Sequence, residues 1–233
     1  MLRVSLLLLA ALIAVVSSMG VPMQDCDGGY TCPKGFKDFK KRKNGPWCVK
    51  LIPGNVTWWE AERECRCSTK GATLSGIETT AEKKWLEENG QALLDKQGIK
   101  NGAIWIGAYR RKDCPSGNQT LWSKNPLCSD EKMFQFTDRH TCGTLIFQDW
   151  NPTSASGDDC GVMTVSTDNE GTNADKSGKA ADKNCQQVQG SSEILNSVGF
   201  LCGVKPVQNG GGSSYGGGDE IIVIGAGKPD KKH

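Results

Sequence analysis

Two adjacent carboxylates, Asp158 and Asp159, are the first residues of this 233-residue chain whose type and spacing suggest chemistry. Paired acids cleave a glycosidic bond when one protonates the leaving oxygen and the other attacks from the opposite side. Neighbours on an extended segment point to opposite faces, so this pair does not flank a substrate bond. His140 and Cys142 suggest a base beside a thiol, yet thiols in an oxidising compartment are ordinarily paired. No Ser-His-Asp set can be drawn, and no catalytic residue is expected. Ile221–Gly227 imitates the opening of a dinucleotide-binding turn, but six residues follow it, too few for the helix that would complete the unit. It reads instead as a sticky strand.

Sulfur is the chemistry the chain does carry. There are eleven cysteines against two histidines, His140 and His233. That ratio predicts a disulfide framework and excludes a zinc centre built on histidine spacing. The odd count leaves at least one thiol free, capped or bonded to a second chain.

Residues 1–20 read as a signal peptide, with Arg3 before an apolar run from Leu6 to Val16 and small residues at Ser17, Ser18 and Gly20. The run is shorter than the roughly 20 residues of a membrane-spanning helix. A secreted, extracellular product without membrane insertion is therefore expected. Removing Arg3 with the leader lowers the formal charge from +2 to about +1, which argues against bulk attraction to nucleic acid.

The elements that position these residues follow. Residues 21–31 form a leader, and Cys32 to Cys48 reads as two short strands around a basic turn, closed by Cys32–Cys48. Thr57-Trp-Trp-Glu60 is a capping box that opens a helix running to about Ser68, and Thr79-Thr-Ala-Glu82 opens a second. The second carries Trp85, Leu86, Leu93 and Leu94 inward and ends near Gly98. From Ala103 the pattern changes to short strands: 103–109, 120–123, 133–137, 161–165 and 198–204. Thr167–Asp182 reads as an exposed polar loop, and 205–233 as a Gly-rich flexible tail. Cys114 and Cys128 bracket a Pro/Gly/Asn insert and are paired on proximity. The class is α+β.

The order Cys67-Ser-Thr-Lys-Gly-Ala-Thr-Leu74, Trp105-Ile-Gly-Ala108, Asp158-Asp-Cys160, Cys185 and Gly199-Phe-Leu-Cys202 resembles the C-type lectin-like domain, in its long form and as found in secreted single-domain nematode proteins. The resemblance spans 32–204. It implies a fold of two helices, short antiparallel sheets and a long loop region. It implies bridges Cys67–Cys202 and Cys160–Cys185, and Cys32–Cys48 matches the extra hairpin bridge. Cys26, Cys65 and Cys142 remain. Two of them can bond each other, leaving either a free thiol or a disulfide-linked homodimer.

The resemblance also locates a ligand face. Family members that bind sugar hold calcium through a Glu-Pro-Asn or Gln-Pro-Asp triplet, a later Glu and a Trp-Asn-Asp run. These map onto Asn151-Pro152-Thr153, Asp158 and Ala180-Ala181-Asp182. Calcium needs 6–8 oxygens, several of them charged, and about half of the usual donors survive. No metal or other cofactor is expected. Asn151, Thr153, Asp158 and Asp182 are the expected ligand-binding residues of a non-enzymatic protein that binds a glycan, or alternatively a protein, on the same loop surface. Asn55 and Asn118 lie in glycosylation sequons. The basic run Lys34–Lys43 reads as a hairpin with aromatics inward and lysines in water, or else as a polyanion grip.

Overall fold

The computed structural model describes residues 29–114, 125–129, 131–151 and 157–208. The expected signal peptide, most of the 21–31 leader, Cys26, Asn118, the 120–123 strand, Thr153 and the tail beyond 208 lie outside these residues.

Both helices begin where their capping boxes place them. In α1, Trp58–Ser68, the Thr57 hydroxyl accepts from the Glu60 amide while the Glu60 carboxylate accepts from the Thr57 amide. In α2, Thr80–Gln97, Thr79 and Glu82 repeat the arrangement. Each box satisfies amide donors that a helix start would otherwise leave open. Gly98 ends α2 at φ 68°, a left-handed cap that favours glycine.

Ten strands are found among the described residues. They are β1 Tyr30–Thr31, β2 Lys37–Phe39, β3 Trp47–Pro53, β4 Thr73–Leu74, β5 Asn101–Arg110, β6 Phe134–Phe136, β7 Cys160–Ser166, β8 Ala180–Lys183, β9 Ser197–Val204 and β10 Val207–Gln208. Eight form one sheet in the order β2-β3-β9-β5-β7-β8, with β4 on β9 and β6 on β5. The sheet is not wholly antiparallel, because β5 and β9 run parallel. A separate ribbon pairs β1 with β10, so the folded unit reaches beyond the expected limits of 32 and 204 at both ends.

The central strand β5 is buried along nearly its whole length, with Ile104, Trp105 and Ile106 fully enclosed. Gly107 interrupts this run because a Cβ there would meet the Leu74 carbonyl of β4. Its amide donates to Ser75 O at 2.8 Å, which draws the chain after β4 against β5. Leu86, Leu93 and Leu94 of α2 join this core, with Trp85 partly buried at its margin. No helix among the described residues is long and apolar enough to cross a membrane.

Among the described residues four disulfides are formed: Cys32–Cys48, Cys65–Cys202, Cys114–Cys128 and Cys160–Cys185. The expected Cys67–Cys202 bridge is thus corrected to Cys65–Cys202. Trp58, Ala61, Glu62 and Cys65 make the buried stripe of α1. Cys67 lies two residues, about 200°, round the helix from Cys65 and is exposed. The Cys65 Cα stands 5.4 Å from that of Cys202, within bonding reach.

The expected stability effect of this bridge is about 5 kcal/mol in the chain-entropy model for a span this long. Cys65→Ser should lower the melting temperature substantially, whereas Cys67→Ser should leave it unchanged. Trypsin cuts after Arg66, between the two cysteines, so peptide mapping distinguishes them. A Cys67–Cys202 peptide would refute the assignment.

Candidate functional site

The loop face is organised by a residue that sequence reasoning passed over, Arg110, the last of β5. Its side chain is 2% exposed. Nε and Nη2 both donate to the Asp158 carbonyl, at 2.8 and 2.6 Å. Nη2 also reaches Asp182 Oδ2 at 3.2 Å, and Nε lies 3.5 Å from Asp159 Oδ1. Nη1 donates to Met133 Sδ, and the guanidinium carbon stands 4.9 Å from the centre of the Phe134 ring. Burial pulls the Arg110 pKa down from its ordinary value, and Asp182, Asp159 and Asp158 oppose that pull. A guanidinium remains charged even so.

Asp182 Oδ2 accepts, besides Arg110, the amides of Gly157 at 2.8 Å and Asp158 at 3.0 Å. A carboxylate so engaged has an internal counter-charge. This is a poor fit to calcium, which needs charged oxygens turned toward a common centre. Ala181, at the preceding position, carries no side-chain oxygen at all. Among the described residues, no group of three or more His, Cys, Asp or Glu is placed to hold a metal ion.

Of the four expected ligand residues, Asp158 and Asp182 converge on Arg110. Asp182 is 3% and Asn151 1% exposed. The Asn151 amide donates to Ala180 O at 2.7 Å, which ties that segment to the start of β8. Thr153 lies outside the described residues. The expected polar loop from 167 to 182 stops short, because Ala180, Ala181 and Asp182 are buried in β8 against β7. Small alanines there fit between packed neighbours, and the polar stretch before them hid the strand.

His140 and Arg42 are committed to structure. His140 is buried and stacked on Trp47 at 4.3 Å, and its Nε2 faces the Gly45 carbonyl at 3.1 Å. A nitrogen facing a carbonyl must carry the proton, so it is not available as a base. Arg42, from the basic run, is also not a surface cation. It donates to both oxygens of Glu82 at 2.7 and 2.9 Å and to Thr141 Oγ1 at 2.8 Å. Phe39 of the same run packs edge-on to Trp85, as a half-buried hairpin requires. Asn55 is exposed.

Lys183 is a further buried cation, 2% exposed, with Nζ bonded to the Val188 carbonyl and, at 2.7 Å, to Ser197 Oγ. Nζ also lies 4.7 Å from the Trp105 ring centre. Neither hydrogen-bond partner is a carboxylate, and burial lowers its pKa to about 7.

The model of the C-type lectin domain-containing protein 141/158 family matches residues 38–205. C-type lectin domain-containing protein 158 of Caenorhabditis elegans is 24% identical over 145 residues, 60% of this chain and 69% of that protein. A snaclec coagulation factor IX/factor X-binding protein of Gloydius halys is 32% identical over 117 residues, 49% of this chain and 68% of that one. Among solved structures, CEL-IV aligns with a TM-score of 0.48 at 18% identity, covering 76% of this chain and 96% of that one. A calcium-independent type II antifreeze protein aligns at 0.44 and 19%, covering 77% and 98%.

Removing Arg110 should leave buried carboxylate charge uncompensated. Arg110→Met is expected to cost about 3–5 kcal/mol in chemical denaturation, and pairing it with Asp182→Leu should recover part of that loss. Lys183 gives a pH dependence of opposite origin. Its folded pKa of about 7 lies below the ordinary 10.5, so the unfolded chain binds a proton that the folded chain has released. Stability from this group therefore rises with pH between those two values. Lys183→Met should flatten that rise in denaturation curves collected across the interval.

Proposed function

Because this chain belongs to the C-type lectin domain-containing protein 141/158 family, we propose that it is a secreted, non-enzymatic glycan-binding protein whose ligand face is braced by an internal guanidinium rather than by calcium. The observation that carries this reading is Arg110 against Asp182, at 3.2 Å and with both side chains nearly wholly buried. The cation that would hold the loops together belongs to the chain itself. Asp182 and Asn151 then brace the face from beneath, while Asp158 stands at its edge. Thr153 completes the proposed ligand set.

Four disulfides are consistent with an extracellular setting, where such bonds persist. They support reading the apolar N-terminus as a secretory leader. The exposed thiol of Cys67 supports a disulfide-linked homodimer, which electrophoresis without reductant detects.

A second reading, a calcium-independent protein-binding module, is favoured by the blank side chain at Ala181 and by the Gloydius halys relative, whose name states that it binds coagulation factors. Glycan arrays with calcium and with chelator decide between the two. The expected result is the same set of glycan signals in both conditions, with a melting temperature indifferent to millimolar calcium. Signals that vanish on chelation would overturn the internal-cation reading. Blank arrays together with a captured protein partner would favour the second reading.

A further inference from the structure

We propose that the cleft walled by Trp59, Tyr109 and Cys185 is a seat for one neutral pyranose ring. This rests on the glycan-binding reading above and names a site for it. The cleft measures about 280 Å³ and is lined by Trp59, Tyr109, Asp158, Asp159, Asn184, Cys185 and Gln186. That volume is smaller than drug-sized pockets and suits a single ring.

Adjacent residues on a helix differ by about 100°, so when Trp58 turns inward its neighbour must turn out. Trp58 is 3% exposed, and its indole N–H donates to Ile106 O at 3.0 Å. Trp59 is left 47% exposed, a large apolar ring facing water. It is not loose. Trp58 meets it edge-on at 4.8 Å, and Tyr109 stands 5.9 Å away, tilted by 54°.

Polar groups complete the arrangement. Among the described residues, the Tyr109 hydroxyl, the Trp59 indole N–H, the Gln186 side-chain amide and Nδ2 of Asn184 have no hydrogen-bond partner in the protein. Asn184 Oδ1 accepts from the Gln186 backbone N–H at 3.0 Å, which fixes the turn and leaves Nδ2 as a donor. The Asp159 side chain is 41% exposed and 3.5 Å from Arg110, so its charge is partly balanced. A pyranose presents an apolar C–H face and a rim of hydroxyls. An exposed indole suits the face, and amides, a carboxylate and a phenol suit the rim. The partial neutralisation of Asp159 by Arg110 favours a neutral ligand over a cationic one.

The walls are also held in place before any ligand arrives. Trp59 sits in the first turn of α1 and Tyr109 on β5. Cys160 opens β7, and it is bonded to Cys185, two residues beyond β8. The Trp58 amide donates to Cys185 O at 3.0 Å, which ties the helix start to the disulfide segment. Preorganisation of this kind lowers the ordering cost of binding.

The test is a glycan array on the full disulfide-bonded chain, followed by titration of a methyl glycoside of the strongest hit into the wild type and variants. Trp59→Ala is expected to weaken binding about tenfold or more without lowering the melting temperature, because stacking is lost from an exposed position. Gln186→Ala, at another exposed position, should weaken binding by a smaller factor, and Trp59→Phe should retain part of it. If the wild type binds glycans and both Trp59→Ala and Gln186→Ala bind equally well, the seat is refuted while the glycan-binding reading stands. If the wild type binds no glycan, both fall. A signal confined to a phosphocholine conjugate would mark a cation cleft and would also overturn the proposal.

Discussion

A guanidinium removed from water costs the fold several kcal/mol unless negative charge and acceptors are brought to meet it. Arg110 imposes that requirement on the loop region. It sits at the end of the long central strand β5, and it draws in Asp158, Asp159 and Asp182 from two separate stretches of chain. Among the described residues between β6 and β7, regular structure is confined to one 3-10 turn at Leu145–Gln148. The segment at 157–159 takes its position from this charge and from the amides that share Asp182 with it.

The same device operates elsewhere in the molecule. Arg42 joins the β2–β3 hairpin to the start of α2 through a two-point contact with Glu82, the carboxylate that also closes the α2 capping box. One side chain thus opens a helix and anchors a hairpin. Lys183 meets burial differently. With a carbonyl and a hydroxyl around it in place of acids, it moves toward neutrality instead of pairing. An amine can shed its proton under desolvation and a guanidinium cannot, which accounts for the two outcomes.

Much of the framework was legible in the sequence because its signals are local. Thr57 with Glu60 and Thr79 with Glu82 mark helix starts through bonds between near neighbours, and β5, β7 and β9 announce themselves as apolar runs. The family resemblance supplied the order of the bridges. It misassigned one because a spacing rule counts residues along the chain, while the buried stripe of α1 is decided by angle around it, and that angle selects Cys65. Strand β8 escaped notice because alanine carries little strand preference and a polar loop leads into it. Arg110 was invisible for a deeper reason. Nothing in Tyr109-Arg-Arg111 distinguishes the arginine that will be enclosed from the one that will not, since the distinction lies in partners some 50 and 70 residues away in sequence.

The ribbon of β1 and β10 has a mechanical consequence. Tyr30 pairs with Gln208 and Thr31 with Val207, so the first and last described strands lie side by side. Tension applied at Tyr30 and Gln208 would peel this two-residue ribbon apart before any load reached the large sheet, where β3 and β9 are zipped over six residue pairs and Cys65–Cys202 locks β9 to α1. The unit from Tyr30 to Gln208, with its two edges adjacent, suits grafting into a surface turn of another protein, which would displace the host chain very little.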